Sequence, residues 1–348
     1  MKILIAGLGS IGQRHLRNIR RVCGEDAKIL AYRVRGLKRT FSDDMKIREG
    51  VDMEKEYDLK VYSDLDEALS EAPDICFVTN ITSKHMETAL KAVRAGCDVF
   101  LEKPVSDRLK DTEELLKEVN ERGTVVYVGY QNRFHPCVQD VKAVLEKGDM
   151  GALLSVSGEF SERLITMHRY EDYRDTYMAR KDMGGGPVLG LQIHALDYLQ
   201  WLIGEPVSVY SVCGKAGNID TDVEDMASSL YTFRLLDGRE IPVYNHTDFL
   251  QFPPVHRFKL VFEKGRVEAD LGGACTNIYE GDEPVRHISH EGFARNDMFI
   301  TELKEFLECV KERRKPDASL EDGIKGLKMA AAAKLSAEEK RIVRIDEL

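Results

Sequence analysis

Three glycines, Gly7, Gly9 and Gly12, follow the apolar run Lys2-Ile3-Leu4-Ile5-Ala6 and lead into residues 13–22, which read as a helix. That order of strand, turn and helix suits a pyrophosphate. Gly7 permits a tight turn, Gly9 lets backbone approach the ligand with no side chain between, and Gly12 lets the helix pack closely on the strand. With Ser10 and Ile11 these residues open a helix whose free N–H groups and positive dipole end face phosphate. The flanking strand and helix separate this stretch from a chance GxGxxG.

About 20 residues past such a turn, an NAD-binding unit places an Asp or Glu that accepts hydrogen bonds from the ribose hydroxyls. Here the position holds Arg33, with Arg35, Lys38 and Arg39 beyond it. A carboxylate would repel a 2′-phosphate and a guanidinium can grip it, so the expected cofactor is NADP, with NAD as the alternative if the basic residues form only a solvated loop. A second concentration of chemistry lies at residues 163–181, dense in Arg and Tyr and without helical or strand period. Arginine forks bind phosphate or carboxylate, and tyrosines stack on rings or bond hydroxyls. The bland counterpart is an oligomer contact loop. His287 and His290 are three apart but lack an evident third ligand, so no metal site is expected. No Ser-His-Asp arrangement stands out from chance.

The elements that must position these groups follow from pattern. Residues 27–34, 74–80, 99–101 and 124–130 read as strands, and 83–95 and 107–122 as helices, while 41–57 is polar, a helix with a loop. Alternating strands and helices imply a parallel doubly wound sheet, ending near Gly129. Beyond it, 153–162, 207–213, 228–235, 239–244, 258–262 and 265–270 are strand-like, and 189–202, 296–311 and 322–340 helical. A length of 348 residues favours two domains, placed at 1–129 and 130–348. The formal charge of −10 argues against nucleic acid or anionic membrane as partner, since either needs a basic surface. Seven cysteines without a CxxC pair suit reduced thiols, and no run reaches the ~20 apolar residues of a membrane span, so a cytoplasmic protein is expected.

Taken together, these residues resemble the glucose-fructose oxidoreductase, inositol dehydrogenase and rhizopine catabolism (Gfo/Idh/MocA) family of NAD(P)-dependent oxidoreductases. The anchors are the glycine turn, Thr79-Asn80 through His85 to Ala95-Gly96, Glu102-Lys103-Pro104, Gly129 to Pro136, and Gly184-Gly-Gly186 through His194. Arg14-His15, Tyr130 to Pro136 and Glu171-Asp-Tyr-Arg174 with Ala179-Arg180 look like members from bacterial sugar pathways. The resemblance implies an α/β Rossmann domain followed by an α/β domain with an open, mostly antiparallel sheet whose free face serves a homodimer or homotetramer, with the last helix packing back on the first domain. It implies chemistry where the domains meet.

Within that resemblance Thr79, Asn80, His85 and Glu102 join the cofactor residues. Lys103 hydrogen-bonds the reacting hydroxyl, and beside an oxidised nicotinamide its cationic form is disfavoured, so it exchanges a proton with an alcohol near neutral pH. His194 is the second catalytic candidate. The family's Asp-x-x-x-His puts both side chains on one helical face, but this chain has Gly190-Leu-Gln-Ile-His194, so either a larger substrate has room there or the acid role is absent. Asp197, at i+3, could orient the imidazole instead. Arg180 stands near the arginine of the family's Trp-Arg motif, with Ala179 in place of the tryptophan. Arg133, Tyr173, Arg174 and Arg180 are expected substrate contacts, for an anionic or nucleotide-linked sugar. The implied reaction is hydride transfer between a nicotinamide and a secondary hydroxyl or ketone of a sugar or polyol. A dinucleotide-binding sensor, and glycoside cleavage with a tightly held cofactor, are the alternatives.

Overall fold

The computed structural model describes residues 1–36, 39–42, 46–281 and 283–348, leaving Lys38 of the basic cluster outside the described residues. The chain forms two compact units, Met1–Gly129 with Arg295–Ile324, and Tyr130–Ala294 with Lys325–Leu348. The sequence reading runs its second domain unbroken from 130 to 348, whereas 295–324 belongs with the first unit.

In the first unit β1 (Lys2–Ala6) leads into α1 (Ser10–Cys23), and β2 (Lys28–Tyr32), α2 (Met53–Glu56), β3 (Lys60–Tyr62), α3 (Leu65–Ser70), β4 (Ile75–Val78), α4 (His85–Arg94), β5 (Asp98–Leu101), α5 (Thr112–Arg122) and β6 (Val126–Val128) follow. The strands pair in the order β3-β2-β1-β4-β5-β6, all parallel. This doubly wound order reverses between β1 and β4, where such sheets bind ligands at the strands' carboxyl ends. β1, β4 and β5 are almost wholly apolar because helices cover both sheet faces. The helix foreseen at 107–122 starts later, at Thr112, because Asp111 adopts a left-handed conformation with φ 67°.

The second unit begins with α6 (Pro136–Lys147), which proline at its first turn and His135 as cap initiate. Its sheet runs through β7 (Leu153–Ser161), β8 (Gly204–Gly214), β9 (Met226–Leu235), β10 (Glu240–Asp248), β11 (Val255–Phe262), β12 (Gly265–Asp270), β13 (Cys275–Glu280) and β14 (Glu283–Ser289). Between β7 and β8 lie α7 (Leu164–Met167), a π-helical turn at Val188–Gln192 and α8 (Ile193–Ile203). Nine strands, closed by β15 (Val343–Arg344), pair in the order β14-β13-β12-β11-β7-β10-β9-β8-β15. Only β7 with β10 is parallel. Tyr231, Phe233, Phe258 and Leu260 are buried in this unit, whereas Tyr210, Val212, Leu230 and Tyr244 remain exposed, the alternation of a sheet covered on one face.

Two helices close the chain. α9 (Arg295–Glu312) packs on α1 within the first unit. α10 (Leu320–Glu339) begins there, but from Lys325 onward it lies on the second unit's sheet: Tyr231 Oη donates to Met329 O at 3.2 Å and Ser211 N to Ser336 Oγ at 3.0 Å. Among the described residues no helix is long and apolar enough to cross a membrane.

Candidate active site

In the first unit the glycine turn fits a dinucleotide by geometry. Gly7 has φ 110°, and a Cβ there would meet Asn80 backbone at 2.7 Å. A Cβ on Gly12 would lie 1.9 Å from Gly7 O, so α1 rests directly on the turn. Gly9 is the opposite case: exposed, with nothing within 4 Å of an added Cβ. The first helical bond, Gln13 N to Gly9 O at 3.0 Å, leaves the amides of Ser10, Ile11 and Gly12 at the helix's positive end. This is an anion cradle with open space where backbone must approach phosphate.

Thr79, Asn80 and His85 shape that cradle. Thr79 Oγ1 donates to Gly7 O at 2.6 Å, and Asn80 Nδ2 to Thr88 Oγ1 at 2.8 Å. His85 Nδ1 lies 2.7 Å from Pro104 O and Nε2 3.1 Å from Asn80 O, so the imidazole spans the turns after β4 and β5. Burial lowers its proton affinity, which favours the neutral ring with a single N–H. His85 thus braces the turn carrying Lys103, with both ring nitrogens turned to backbone.

Arg33 follows β2 and its Nη1 meets Glu54 Oε1 at 2.6 Å. The Arg33 side chain is 8% exposed and that of Glu54 46%, so the carboxylate end of the pair faces solvent. At the end of β5, burial lowers the Lys103 amine to about 8; Glu102 opposes that effect and Arg295 adds to it. Glu102 is itself held by His15, whose Nε2 is 2.7 Å from Glu102 Oε1. No spacing rule links His15 to Glu102, 87 positions away, and the contact is visible only once α1 and β5 are folded together.

In the second unit His194 lies on α8, 6% exposed, with its ring 6.0 Å from Phe160. Phe160 stacks flat on His256, with centroids 3.8 Å apart. Asp197 turns to another partner: Arg133 Nε lies 3.0 Å from Oδ2 and Nη2 2.6 Å from Oδ1, both side chains being at most 2% exposed. The two residues expected at the substrate therefore form a buried bidentate pair that ties the segment before α6 to α8. The space at Gly190 is likewise taken, since a Cβ would meet Met178 Cε at 2.7 Å and Phe249 Cζ at 3.7 Å. Met178, with Leu164, Ala179, Leu191 and Phe249, forms a small core under the Arg- and Tyr-rich loop. Beside Gly190, where a larger substrate or an absent acid role is expected, stands the flexible end of Met178. The helix foreseen from 189 begins instead with a wider turn, a form that recurs at functional sites.

On that loop Arg174 pairs with Asp172 and Arg180 with Asp182, all at the surface, and Tyr173 Oη accepts from Asp220 N at 3.2 Å. His287 and His290 turn to separate partners, Asn277 and Asp140, and no group of three metal-binding side chains exists among the described residues. A Ser-His-Asp line does form across β9 and β10, with Ser228 Oγ 2.7 Å from His246 Nδ1 and Asp248 Oδ2 3.0 Å from Nε2. Asp248 Oδ1 also accepts from the Leu250 and Gln251 amides. The line is a cross-strand ladder that also fixes the following loop.

Comparison with known proteins adds to this geometry. Residues 1–130 match the model of an oxidoreductase family with an NAD-binding Rossmann fold, and 138–268 match that of the GFO/IDH/MocA C-terminal domain. The myo-inositol 2-dehydrogenase of Thermotoga maritima is 27% identical, over 100% of this chain and 99% of its own length. Among solved structures, levoglucosan dehydrogenase in complex with NADH superposes with a TM-score of 0.83 at 16% identity, covering 99% of both chains. A UDP-N-acetylglucosamine 3-dehydrogenase from Acidithiobacillus ferrooxidans superposes with a TM-score of 0.73 at 20% identity, covering 97% of this chain and 98% of its own.

Proposed function

The chain belongs to the GFO/IDH/MocA family of oxidoreductases, and from that premise we propose that it is an NAD(P)-dependent dehydrogenase acting on a secondary hydroxyl of a sugar or polyol. The carrying observation is Lys103, a sequestered amine lowered to about 8 at the carboxyl end of β5, in the same unit as the glycine cradle. The bound dinucleotide supplies the hydride acceptor in oxidation and the donor in reduction. The Ser10, Ile11 and Gly12 amides would hold its phosphates. Neutral Lys103 takes the proton of the alcohol as the carbon is oxidised, and the ammonium returns it in the reverse direction. In the second unit His194, buried on α8, is the second candidate for orienting a substrate hydroxyl.

Arg33 supports a preference for NADP, because a 2′-phosphate offers its guanidinium a doubly charged acceptor at the end of β2. Arg174 and Arg180 support an anionic or nucleotide-linked sugar by the same logic, their partners being exposed aspartates on the same loop. The similarity to a myo-inositol 2-dehydrogenase supports the broader class, a sugar or polyol. A second reading, a dinucleotide-binding protein without turnover, draws on Gly190, where Met178 occupies the space of an acidic side chain.

Inositols, aldoses, sugar acids and UDP-sugars are to be screened by nicotinamide absorbance, with Lys103→Ala in parallel. Turnover that is lost in the variant, with dinucleotide affinity kept, supports the dehydrogenase. Dinucleotide binding without turnover of any of these compounds favours the second reading. Failure to bind either dinucleotide overturns both.

A further inference from the structure

His15, Glu102 and Glu302 form a buried ionisable group beside the turn that carries Lys103. His15 is fully buried on α1, with its ring 4.7 Å from Phe100, 5.4 Å from Phe77 and 6.3 Å from Phe299. Its Nε2 reaches Glu102 Oε1 at 2.7 Å, and the other carboxylate oxygen accepts from the Lys103 backbone amide at 3.3 Å. On α9, Phe299, Glu302 and Phe306 stand at i, i+3 and i+7, one helical face. Phe306 packs 5.5 Å from Phe100, so that face meets the same aromatic wall. Glu302 is fully buried there, and neither carboxyl oxygen has a partner among the described residues.

A charge so placed is costly. Burial, and then the charges of Glu102 and Glu305, push Glu302 well above the usual carboxylate range and keep it neutral. The other charged and titratable groups around this cluster are Arg14 on α1, His85 on α4, and Arg295 and Glu305 on α9. Against Lys103 itself stand Glu102, which favours the ammonium, and Arg295, which opposes it. A carboxylate in such surroundings keeps its charge only while a donor satisfies it. His15 is the side chain placed to do so.

We propose that His15 is a positioning residue for Lys103: its Nε2–H fixes the orientation of the Glu102 carboxylate, and Glu102 then sets how tightly Lys103 holds its proton. This rests on the reading of Lys103 as the proton acceptor. Burial disfavours the charged form of Glu302, so its influence on Lys103 is smaller than that of Glu102. Removing the His15 donor frees the Glu102 carboxylate from its present orientation, weakens its attraction for the ammonium, and lets Lys103 lose its proton at lower pH.

The test needs neither cofactor nor turnover. In full-length protein with ¹³C at lysine Cε, the Lys103 signal, assigned by its loss in Lys103→Arg, is followed against pH. Wild type is expected to titrate near 8. His15→Phe and Glu102→Gln are each expected to lower that midpoint by about one pH unit, a tenfold loss of proton affinity. His15→Gln, which restores an N–H donor, returns it toward wild type, and Glu302→Gln leaves it in place. A wild-type midpoint in His15→Phe, alongside a lowered one in Glu102→Gln, overturns the role of His15. A fall in Glu302→Gln as large as that in Glu102→Gln overturns the neutral assignment. A wild-type midpoint at the ordinary lysine value of about 10.4 instead removes the reading of Lys103 on which the proposal stands. Should His15→Phe not fold, His15→Asn, whose shorter amide falls short of Glu102, reads the same quantity.

Discussion

Alanine at Gly9 separates what the glycine turn does for the fold from what it does for the ligand. Gly9 has φ −70° and ψ −168°, a conformation alanine adopts freely, and an added Cβ has no heavy atom within 4 Å. The folded state loses nothing, and the unfolded chain loses freedom, so stability should stay unchanged or rise by less than about 1 kcal/mol. The same methyl stands where a pyrophosphate oxygen must approach the amides of α1. Losing one hydrogen bond to a charged group costs about 1.5–3 kcal/mol, so the dinucleotide dissociation constant should rise roughly 10- to 100-fold. Gly12→Ala is the control in the other direction. Its Cβ would sit 1.9 Å from Gly7 O and 2.9 Å from Thr79 Oγ1, and because the nearer atom is backbone, α1 must shift, at about 1–3 kcal/mol or more of folding stability. Calorimetric titration with NADPH and NADH, paired with thermal unfolding, reads both effects. The reasoning is refuted if Gly9→Ala binds both dinucleotides as wild type does, or if it loses stability as Gly12→Ala does.

The Arg133–Asp197 pair should behave as buried structure. Asp197→Ala removes the carboxylate that the buried guanidinium grips and should cost about 3–5 kcal/mol in urea unfolding, whereas Arg133→Met with Asp197→Leu should recover most of that loss. At His135, burial holds the imidazole down to about 4, an effect partly offset by the Leu271 carbonyl, while the unfolded chain titrates near 6.5. The unfolded state therefore binds more protons between those values. Its contribution to stability is complete above about pH 6.5 and is lost as pH falls through 4, up to about 3 kcal/mol. His135→Asn keeps an acceptor for the Cys137 amide and should flatten the fall in melting temperature over that range.

Much of the first unit was legible because its signals are local. The glycine spacing and the apolar runs of β1, β4 and β5 each lie within a few residues, and alternation of strand with helix dictates a parallel sheet. Elements with weak periodicity escaped: β3 is three residues long, β13 and β14 lie beyond the last strand recognised, and α6 is announced only by Pro136 after its cap. Pairings set by tertiary approach were invisible. Asp197 reads as an i+3 neighbour of His194, yet it is taken by Arg133, 64 positions earlier in the chain. Gly190 reads as a missing acid with room beside it, and only the fold brings Met178 into that space. Glu302 reads as one more charge on an amphipathic helix until α9 is set against the aromatic wall that buries it.

Hydride transfer governed by Lys103 is tested most directly with a substrate found in the screen, deuterated at the carbon bearing the hydroxyl. Incubated with oxidised dinucleotide and wild-type protein, it should pass one deuterium per turnover to the reduced dinucleotide, as read by mass spectrometry. In Lys103→Met, which keeps the length of the side chain without the amine, that transfer should fall by at least about 100-fold while dinucleotide affinity stays unchanged. Deuterium that washes into solvent, or transfer that continues at the wild-type rate without the Lys103 amine, would contradict the account.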